Sequence, residues 1–152
     1  MCTAAGDKAS LAIGMAGLVV DHAYQDRLRE ASQLASEAMG LIESIGDPTL
    51  TVGLSLAPIY AKIKSGEWCD VLRWSQAAID LADGGDPSKS NFIFGSPLAL
   101  AYTSRAAANY FLGRPGWRDD QQRGLAMARG ADPMSYATVV TYVYMPANRM
   151  AC

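Results

Sequence analysis

The stretch "GDPTLTVGLSLAPIYAKIKSGEWCD" (46–70) decides the fold, because the chain repeats its plan as "GSPLALAYTSRAAANYFLGRPGWRD" (95–119). Each copy reads as a glycine, a capping residue, a proline, an apolar helix, a glycine-containing turn, a tryptophan and the start of a second helix. That order is typical of a repeated helical hairpin. At a constant offset of 49 residues the copies match Gly46 with Gly95, Pro48 with Pro97, Trp68 with Trp117, and Asp70 with Asp119.

A single hairpin cannot bury its apolar stripe, so hairpins of this kind stack and share a continuous core. The sequence therefore predicts an all-α fold of stacked antiparallel helical hairpins, a tetratricopeptide-like α-solenoid. A first hairpin over 8–45 precedes repeat units over about 46–94 and 95–143, in a single domain over 1–152. Terminal repeats normally carry a polar outer face. Since the first and last helices are apolar here, we expect a fragment of a longer array, or self-association.

Seven helices are predicted, at about 8–21, 26–45, 48–64, 67–83, 97–112, 117–129 and 133–145. The helix over 26–45 is the clearest, because its apolar residues recur every three or four positions, and Asp26 is a candidate cap for its start. The segment "YATVVTYVYM" (136–145) is rich in β-branched and aromatic residues, so both helix and strand are possible. The spacing of its valines favours a helix.

Proline marks the helix starts and one expected distortion. Pro58 falls inside the third helix and cannot donate to the Leu54 carbonyl, so we expect a kink there. The loop 84–95 accounts for part of the long repeat period, and its Phe92, Ile93 and Phe94 are expected to pack against the array. A capping residue directly before a proline is typical of a helix start, and this pair occurs as Asp47-Pro48, Ser96-Pro97 and Asp132-Pro133.

The composition excludes several classes of protein. Half of the 152 residues are hydrophobic and 18% are charged, which excludes a disordered tail, and the net charge of −2 gives no general attraction to nucleic acid or to a membrane surface. The three cysteines, Cys2, Cys69 and Cys152, lack the paired spacing of disulfide or zinc sites, which predicts free thiols in the cytoplasm. The apolar run 9–20 is too short for a bilayer span, and we favour a buried helix over a targeting segment.

The usual catalytic patterns are missing from the sequence, so we predict no catalytic residues, no cofactor and no metal. The segment "DGGDPSKS" (83–90) lacks the glycine that precedes the lysine of a phosphate-binding loop. His22 is the only histidine, and its position near a helix end predicts that it caps carbonyls or faces solvent. Asp119 and Asp120 point apart on a helix, so we expect them to complement the helix dipole, with Arg118 and Arg123 nearby.

The aromatic residues divide into a packing set and a contact set. Trp68 and Trp117 occupy equivalent repeat positions and are expected to pack the second helix of each hairpin against the first. Trp74 has no aromatic partner at the repeat offset, which makes it the candidate for an exposed recognition residue. In solenoids the first helix of each hairpin commonly lines the concave face. The residues predicted to contact a partner or ligand are therefore Trp74, Tyr102, Tyr110 and Tyr136.

The phrases "GDPTLTVGL", "IDLADGGDPSK", "GSPLALA" and "LGRPGWRDD" carry a family resemblance over residues 26–143. This region resembles the C-terminal helical-repeat region of large actinobacterial, especially mycobacterial, signalling proteins. In those proteins a class III adenylate or guanylate cyclase domain comes first, an ATPase module follows, and some members end in a LuxR-type DNA-binding domain. The cyclase aspartates and the ATPase phosphate loop belong to domains that are not in this chain, so the resemblance transfers no catalytic residue.

The resemblance implies a non-catalytic module for protein interaction or regulation in signal transduction. The implied partner is a protein or peptide, including the cyclase and ATPase domains of the same system, with no nucleic acid or membrane partner. Two alternatives remain open: a part of a cyclase whose catalytic domain lies outside this chain, and a sensor of a small ligand. We also expect a homodimer through the apolar end helices. The tail 144–152 differs from the sequence with which the resembled family continues.

Overall fold

The computed structural model describes residues 2–83 and 96–144, and the regular structure of these residues is helical, with no strand. Counting each of two interrupted helices once gives seven helices, so the predicted all-α class and helix number are confirmed. The stacking of hairpins into a solenoid stays a prediction. The elements are α1 (Cys2–Tyr24), α2 (Leu28–Ile45), α3 (Pro48–Leu54), α4 (Leu56–Ser65), α5 (Trp68–Asp83), α6 (Pro97–Phe111), α7 (Trp117–Ala131), α8 (Pro133–Thr138) and a π-helical segment (Val139–Tyr144).

Two compact units divide the chain, Met1–Glu67 and Trp68–Cys152. In the first, α1 packs on α2, and both pack on α4. The stripe predicted for α2 is confirmed at its centre, because four of its residues are fully buried while its two end positions are half-buried. Small side chains at this spacing let the helices approach closely. The buried stripe consists of Ala31, Ala35, Ala38 and Ile42.

The helix is interrupted between α3 and α4 at the place where Pro58 predicts a kink, and the bend itself stays a prediction. Helix α3 ends at Leu54, the residue whose carbonyl Pro58 cannot bond, and Ser55 links the two segments. The Ser55 hydroxyl donates to the Val52 carbonyl at 3.0 Å. Backbone bonds from the Ser55 N–H to the Thr51 carbonyl and from the Ile59 N–H to the Ser55 carbonyl, each 3.0 Å, connect the two segments.

In the second unit α6 is the central helix, packed against α5, α7, α8 and the π-helical segment. It is buried on nearly every side, which fits its nearly uniform apolar sequence. Gly124 of α7 allows the close crossing with α6. A Cβ atom at this position would lie 2.6 Å from Thr103 Cγ2 and 2.8 Å from the Ala99 carbonyl oxygen.

The three predicted capping residues are confirmed, each followed by proline in the first turn. Asp47 accepts from the N–H groups of Thr49 and Leu50, Ser96 accepts from that of Ala99, and Asp132 accepts from that of Ser135. The helical alternative for the last segment is also confirmed, although it is α-helical only to Thr138 and π-helical beyond.

The cap of α8 is also hydrogen-bonded to the start of α6. The fully buried Ser135 hydroxyl donates to Asp132 Oδ2 at 2.5 Å and accepts from the Ser96 N–H at 2.6 Å. The Ser135 hydroxyl and N–H lower the pKa of Asp132 below its ordinary value.

The cap predicted at Asp26 is wrong. Asp26 adopts a left-handed conformation with φ 56°, and Arg27 occupies the N-cap position without a side-chain capping bond. The connection closes with bonds from the Asp26 N–H to the Ala23 carbonyl and from the Arg27 N–H to the His22 carbonyl. Asp26 therefore terminates α1 instead of starting α2. Loop 84–95, which is predicted to pack against the array, lies outside the described residues. The same holds for the segment 83–90 after Asp83 and for the tail beyond Tyr144.

Candidate functional site

The four predicted contact residues have different exposures. Trp74 and Tyr102 are buried, with 5% and 3% of their surface exposed, while Tyr110 and Tyr136 are half-buried. The prediction that Trp74 is exposed is wrong. Its side chain lies on the buried face of α5 with Val71 and Ala78, three residues before and four residues after it, so it completes an apolar stripe.

Tyr102 belongs to the core of the second unit and lies beside two arginines. Its neighbours include Ile79 of α5 and Leu98 of α6. The guanidinium groups of Arg105 and Arg123 lie 5.1 Å and 4.8 Å from its ring centre, within the range of cation–π attraction. Tyr102 therefore stabilises the α5–α6–α7 packing and lies beside Arg105, and its contact with a partner stays a prediction.

Both repeat tryptophans contact aromatic residues at the end of α6. Trp68 stacks on Phe111 with ring centres 4.1 Å apart and an interplanar angle of 13°, and Trp117 meets Tyr110 edge-on at 5.1 Å. The edge contact confirms the predicted packing of Trp117 against the first helix of its hairpin. Trp68, by contrast, contacts the helix that follows it. Phe111 is 37% exposed, so the aromatic cluster reaches the surface.

The α6–α7 turn, Leu112–Gly116, orients the polar residues beside this cluster. Gly113 and Gly116 have φ values of 67° and 85°, in the left-handed region that glycine adopts most readily because it has no Cβ. The N–H of Gly113 donates to the Tyr110 carbonyl at 3.1 Å, and that of Arg114 donates to the Asn109 carbonyl at 2.7 Å. These two bonds form a Schellman closure, which fixes the backbone of Arg114 relative to α6.

An open groove of about 610 Å³ lies between α5, α6 and this turn, and we call it the arginine groove. Arg73 comes from α5, Arg105 from α6 and Arg114 from the turn. Two helices and a closed turn therefore place three arginines around one concave surface. Its lining consists of Leu72, Arg73, Gln76, Arg105, Asn109, Arg114, Pro115, Gly116, Asp119 and Asp120.

The floor of the arginine groove is a two-point ion pair. Arg105 donates from Nε to Asp120 Oδ2 at 2.9 Å and from Nη2 to Oδ1 at 2.5 Å, while Nη1 donates to Gln76 Oε1 at 2.8 Å. The side chains of Arg105 and Asp120 are 18% and 14% exposed. The hydrogen bonds and charge of Asp120 raise the pKa of Arg105 and outweigh the opposing effect of burial.

This pair was missed in the sequence, where Arg118 and Arg123 were expected beside the two aspartates. Asp119 and Asp120 do lie in the first turn of α7, as predicted. However, Arg118 lies 4.3 Å over the Trp117 ring and Arg123 lies over Tyr102. Residues 105 and 120 are brought together by the crossing of α6 and α7 rather than by local spacing, so only the register of this helical hairpin could have identified the pair.

The remaining charges of the arginine groove lie at its exposed rim. Arg73 pairs with Asp70 at 2.8 Å, and 67% of the Arg73 side chain is exposed. Arg114 and Asp119 are exposed, and neither forms an ion pair within the part of the chain that the structure describes. The floor is therefore electrically balanced, and the rim presents free and weakly paired guanidinium groups to solvent.

The first unit contains a second polar cluster, in which Lys62 is buried. Lys62 Nζ donates to Glu67 Oε2 at 2.6 Å and to Ser32 Oγ at 2.8 Å, and the Ser32 hydroxyl donates to Glu67 Oε1. Burial alone would raise the pKa of Glu67, but the Lys62 ammonium and the Ser32 hydroxyl lower it overall. The cluster ties α2 to the end of α4.

His22 and the titratable groups around it form no site of known type. Its Nδ1 is buried, has no hydrogen-bond partner and lies 4.0 Å from Asp21 Oδ2, so this atom neither caps a carbonyl nor faces solvent as predicted. Over residues 2–83 and 96–144, no group of three or more histidines, cysteines or acidic residues is arranged to hold a metal ion. Among the same residues, no helix combines the length and apolar character needed to cross a bilayer.

The apolar first helix partly faces solvent. Leu11, Ile13 and Leu18 of α1 are 56%, 46% and 53% exposed. These side chains are consistent with the predicted homodimer, which stays a prediction. Comparison with known proteins finds no matching family model, no matching curated protein and no matching solved structure.

Proposed function

We propose that this chain is a non-catalytic helical module that binds a protein or peptide in the arginine groove. The observation that carries the proposal is the groove itself, whose arginines and Asn109 extend from helices and from a closed turn. A backbone that is fixed before binding loses little conformational freedom when a partner arrives, and this favours affinity. The half-buried Tyr110 and the exposed Phe111 offer apolar contact close to the polar rim.

Following the family resemblance, the partner that we propose is a cyclase or ATPase domain of the same signalling system in the cytoplasm. Immobilised full-length chain should then retain a purified cyclase–ATPase protein of the resembled type. Retention should fall with Asn109→Ala, which removes a groove side chain, and persist with Gln122→Ala on an exposed part of α7. Equal retention by both variants, or none by the wild type, would contradict this partner.

A small-ligand sensor is the second candidate, because the groove volume falls in the range of about 300–1,000 Å³ that is common for ligand pockets. Trp68 and Trp117 lie beside the turn, so their fluorescence should report an occupied groove. Saturable quenching by a metabolite, abolished by Asn109→Ala, would favour the sensor over peptide binding. For the cyclase alternative, we expect no cyclic AMP from ATP with the isolated chain.

A further inference from the structure

Three helix ends in this molecule close in the same way and place a charged residue at the same position. After α1, α4 and α6, the N–H of a charged residue donates back to the helix at 3.0, 3.0 and 2.7 Å. These residues are Arg27, Glu67 and Arg114. Arg27 pairs with Glu30 at 3.5 Å and Glu67 pairs with Lys62 at 2.6 Å. The third, Arg114, has no ion pair among the described residues.

The other charges around the arginine groove leave Arg114 available. Asp120, the carboxylate nearest the groove floor, already accepts two hydrogen bonds from Arg105. Asp119 lies in the first turn of α7, where the helix dipole favours a negative charge without a cation. Since neither carboxylate is bound to Arg114, its guanidinium is able to bind an anionic group from outside the chain.

Arg73 provides a second cation on the opposite wall, which belongs to α5. It pairs with Asp70 three residues earlier, but its side chain is 67% exposed. Because the Arg73 side of this pair is open to solvent while the Asp70 side chain is 30% exposed, an incoming carboxylate can reach the Arg73 guanidinium beside Asp70. The groove therefore offers a free guanidinium on the turn and an accessible one on the helix. Planar guanidinium groups bind carboxylates through two parallel hydrogen bonds.

From this charge pattern we infer that the arginine groove recognises an acidic peptide segment, with one side-chain carboxylate bound by Arg114 and a second within reach of Arg73. This inference rests on the proposed function and names the chemistry of the partner. Arg114 is the specificity-determining residue, because its backbone is fixed by the turn while its charge is unused within the described fold. Arg105 has the different task of holding Asp120 and the groove floor in place.

The test begins with a random 12-residue peptide library displayed on phage and selected on the full chain. We expect the selected peptides to be enriched in Asp and Glu relative to the unselected library. A synthetic copy with Asn and Gln in place of Asp and Glu should bind about tenfold more weakly, which is typical of charge-assisted contacts. Binding of the acidic peptide should also weaken as salt is raised, because rim charges are screened.

Arg114→Gln should weaken binding of the acidic peptide roughly three- to tenfold and leave binding of the neutral copy unchanged. Arg118→Gln is the matched control, since it removes the same charge from an exposed arginine four residues along the chain, in α7, that lies outside the groove lining. It should leave the affinity unchanged. Asp119→Asn should strengthen binding, because it removes the competing carboxylate at the rim.

The outcomes separate the inference from the function on which it rests. One outcome would overturn the inference and support the proposed function. In that outcome, peptides bind and lose affinity with Asn109→Ala, but they show no acidic preference or no response to Arg114→Gln. If the selection yields no peptide, or if Asn109→Ala leaves binding unaffected, both the inference and the proposed function are overturned. Displacement of the acidic peptide by inorganic phosphate, at concentrations where chloride has no effect, would indicate a small-anion site and overturn the peptide proposal.

Discussion

The turns after α4 and after α6 have the same backbone closure but use charge in opposite ways. Gly66 and Gly113 both adopt left-handed conformations, and the next residue in each turn donates its N–H back to the helix. After α4 that residue is Glu67, whose charge is used inside the fold by Lys62 and Ser32. After α6 it is Arg114, whose charge is exposed at the arginine groove.

The two turns also differ in length. One residue separates Gly66 from Trp68, whereas three residues separate Gly113 from Trp117. The longer turn includes Pro115, which fixes its own φ, and Gly116, which supplies a second left-handed position. In both turns the backbone closure fixes where the charged residue lies, while the neighbouring side chains decide whether its charge stabilises the fold or remains for a partner.

We expect the largest effect from a substitution that breaks the Arg105–Asp120 ion pair at the floor of the arginine groove. Asp120→Ala leaves the Arg105 guanidinium largely buried without its carboxylate, so the free energy of unfolding should fall by about 3 kcal/mol. Asp119→Ala removes the adjacent carboxylate, which is exposed, and should cost less than about 1 kcal/mol. Urea denaturation of both variants gives the comparison, and equal losses would contradict the assignment of Asp120 as the structural carboxylate.

A smaller effect is expected at the corresponding pair of the first unit. Glu67→Ala removes a carboxylate that pairs with the buried Lys62, but 40% of the Glu67 side chain is exposed, so water compensates in part. We expect a loss of about 2 kcal/mol by urea denaturation, below the usual range for a fully buried pair. Glu43→Ala, an exposed carboxylate on α2, is the control and should change stability by less than about 0.5 kcal/mol.

Acidification should remove part of the same stabilisation. Because the folded pKa of Glu67 is lowered, its contribution is present above the unfolded pKa and is lost as the pH falls through the folded pKa. Wild-type stability should therefore decline from about pH 5 downward. Glu67→Ala should show a shallower decline, and identical pH dependence in the two proteins would show that Glu67 does not contribute.

The smallest expected effect concerns the backbone closure that both turns share. Gly66→Ala and Gly113→Ala each force a Cβ atom into a left-handed conformation, which should cost about 1 kcal/mol at either turn. No neighbouring atom lies within 4 Å of the added Cβ at either position, so the cost is conformational. Thermal unfolding should show similar losses, and a large difference between the two would contradict a shared closure.

Local signals in the sequence predicted most of the helices. Asp47-Pro48 and Asp132-Pro133 predicted helix starts because capping and the fixed φ of proline act within one turn. Pro58 predicted the break at Ser55 for the same local reason. Asp26 misled, because aspartate is suited both to cap a helix start and to adopt the left-handed conformation that ends one.

The site depended on tertiary contacts that local patterns do not contain. Trp74 was assigned to the surface because it lacks a repeat partner, but its own helix spacing places it in the core. Asp120 could be paired with Arg105 only from the hairpin register, which required the position of the bend. The free charge of Arg114 could not be predicted, since it follows from where every neighbouring carboxylate lies.

The most direct measurement compares Glu67→Gln with Arg114→Gln, two variants that each remove one charge from equivalent turn positions. Urea unfolding and affinity for the selected acidic peptide should be measured on both. We expect Glu67→Gln to lower the free energy of unfolding by about 1 kcal/mol and leave peptide affinity unchanged. Arg114→Gln should leave stability unchanged and weaken peptide binding. If Arg114→Gln instead destabilised the fold and left binding unchanged, the division of roles between the two turns would be contradicted.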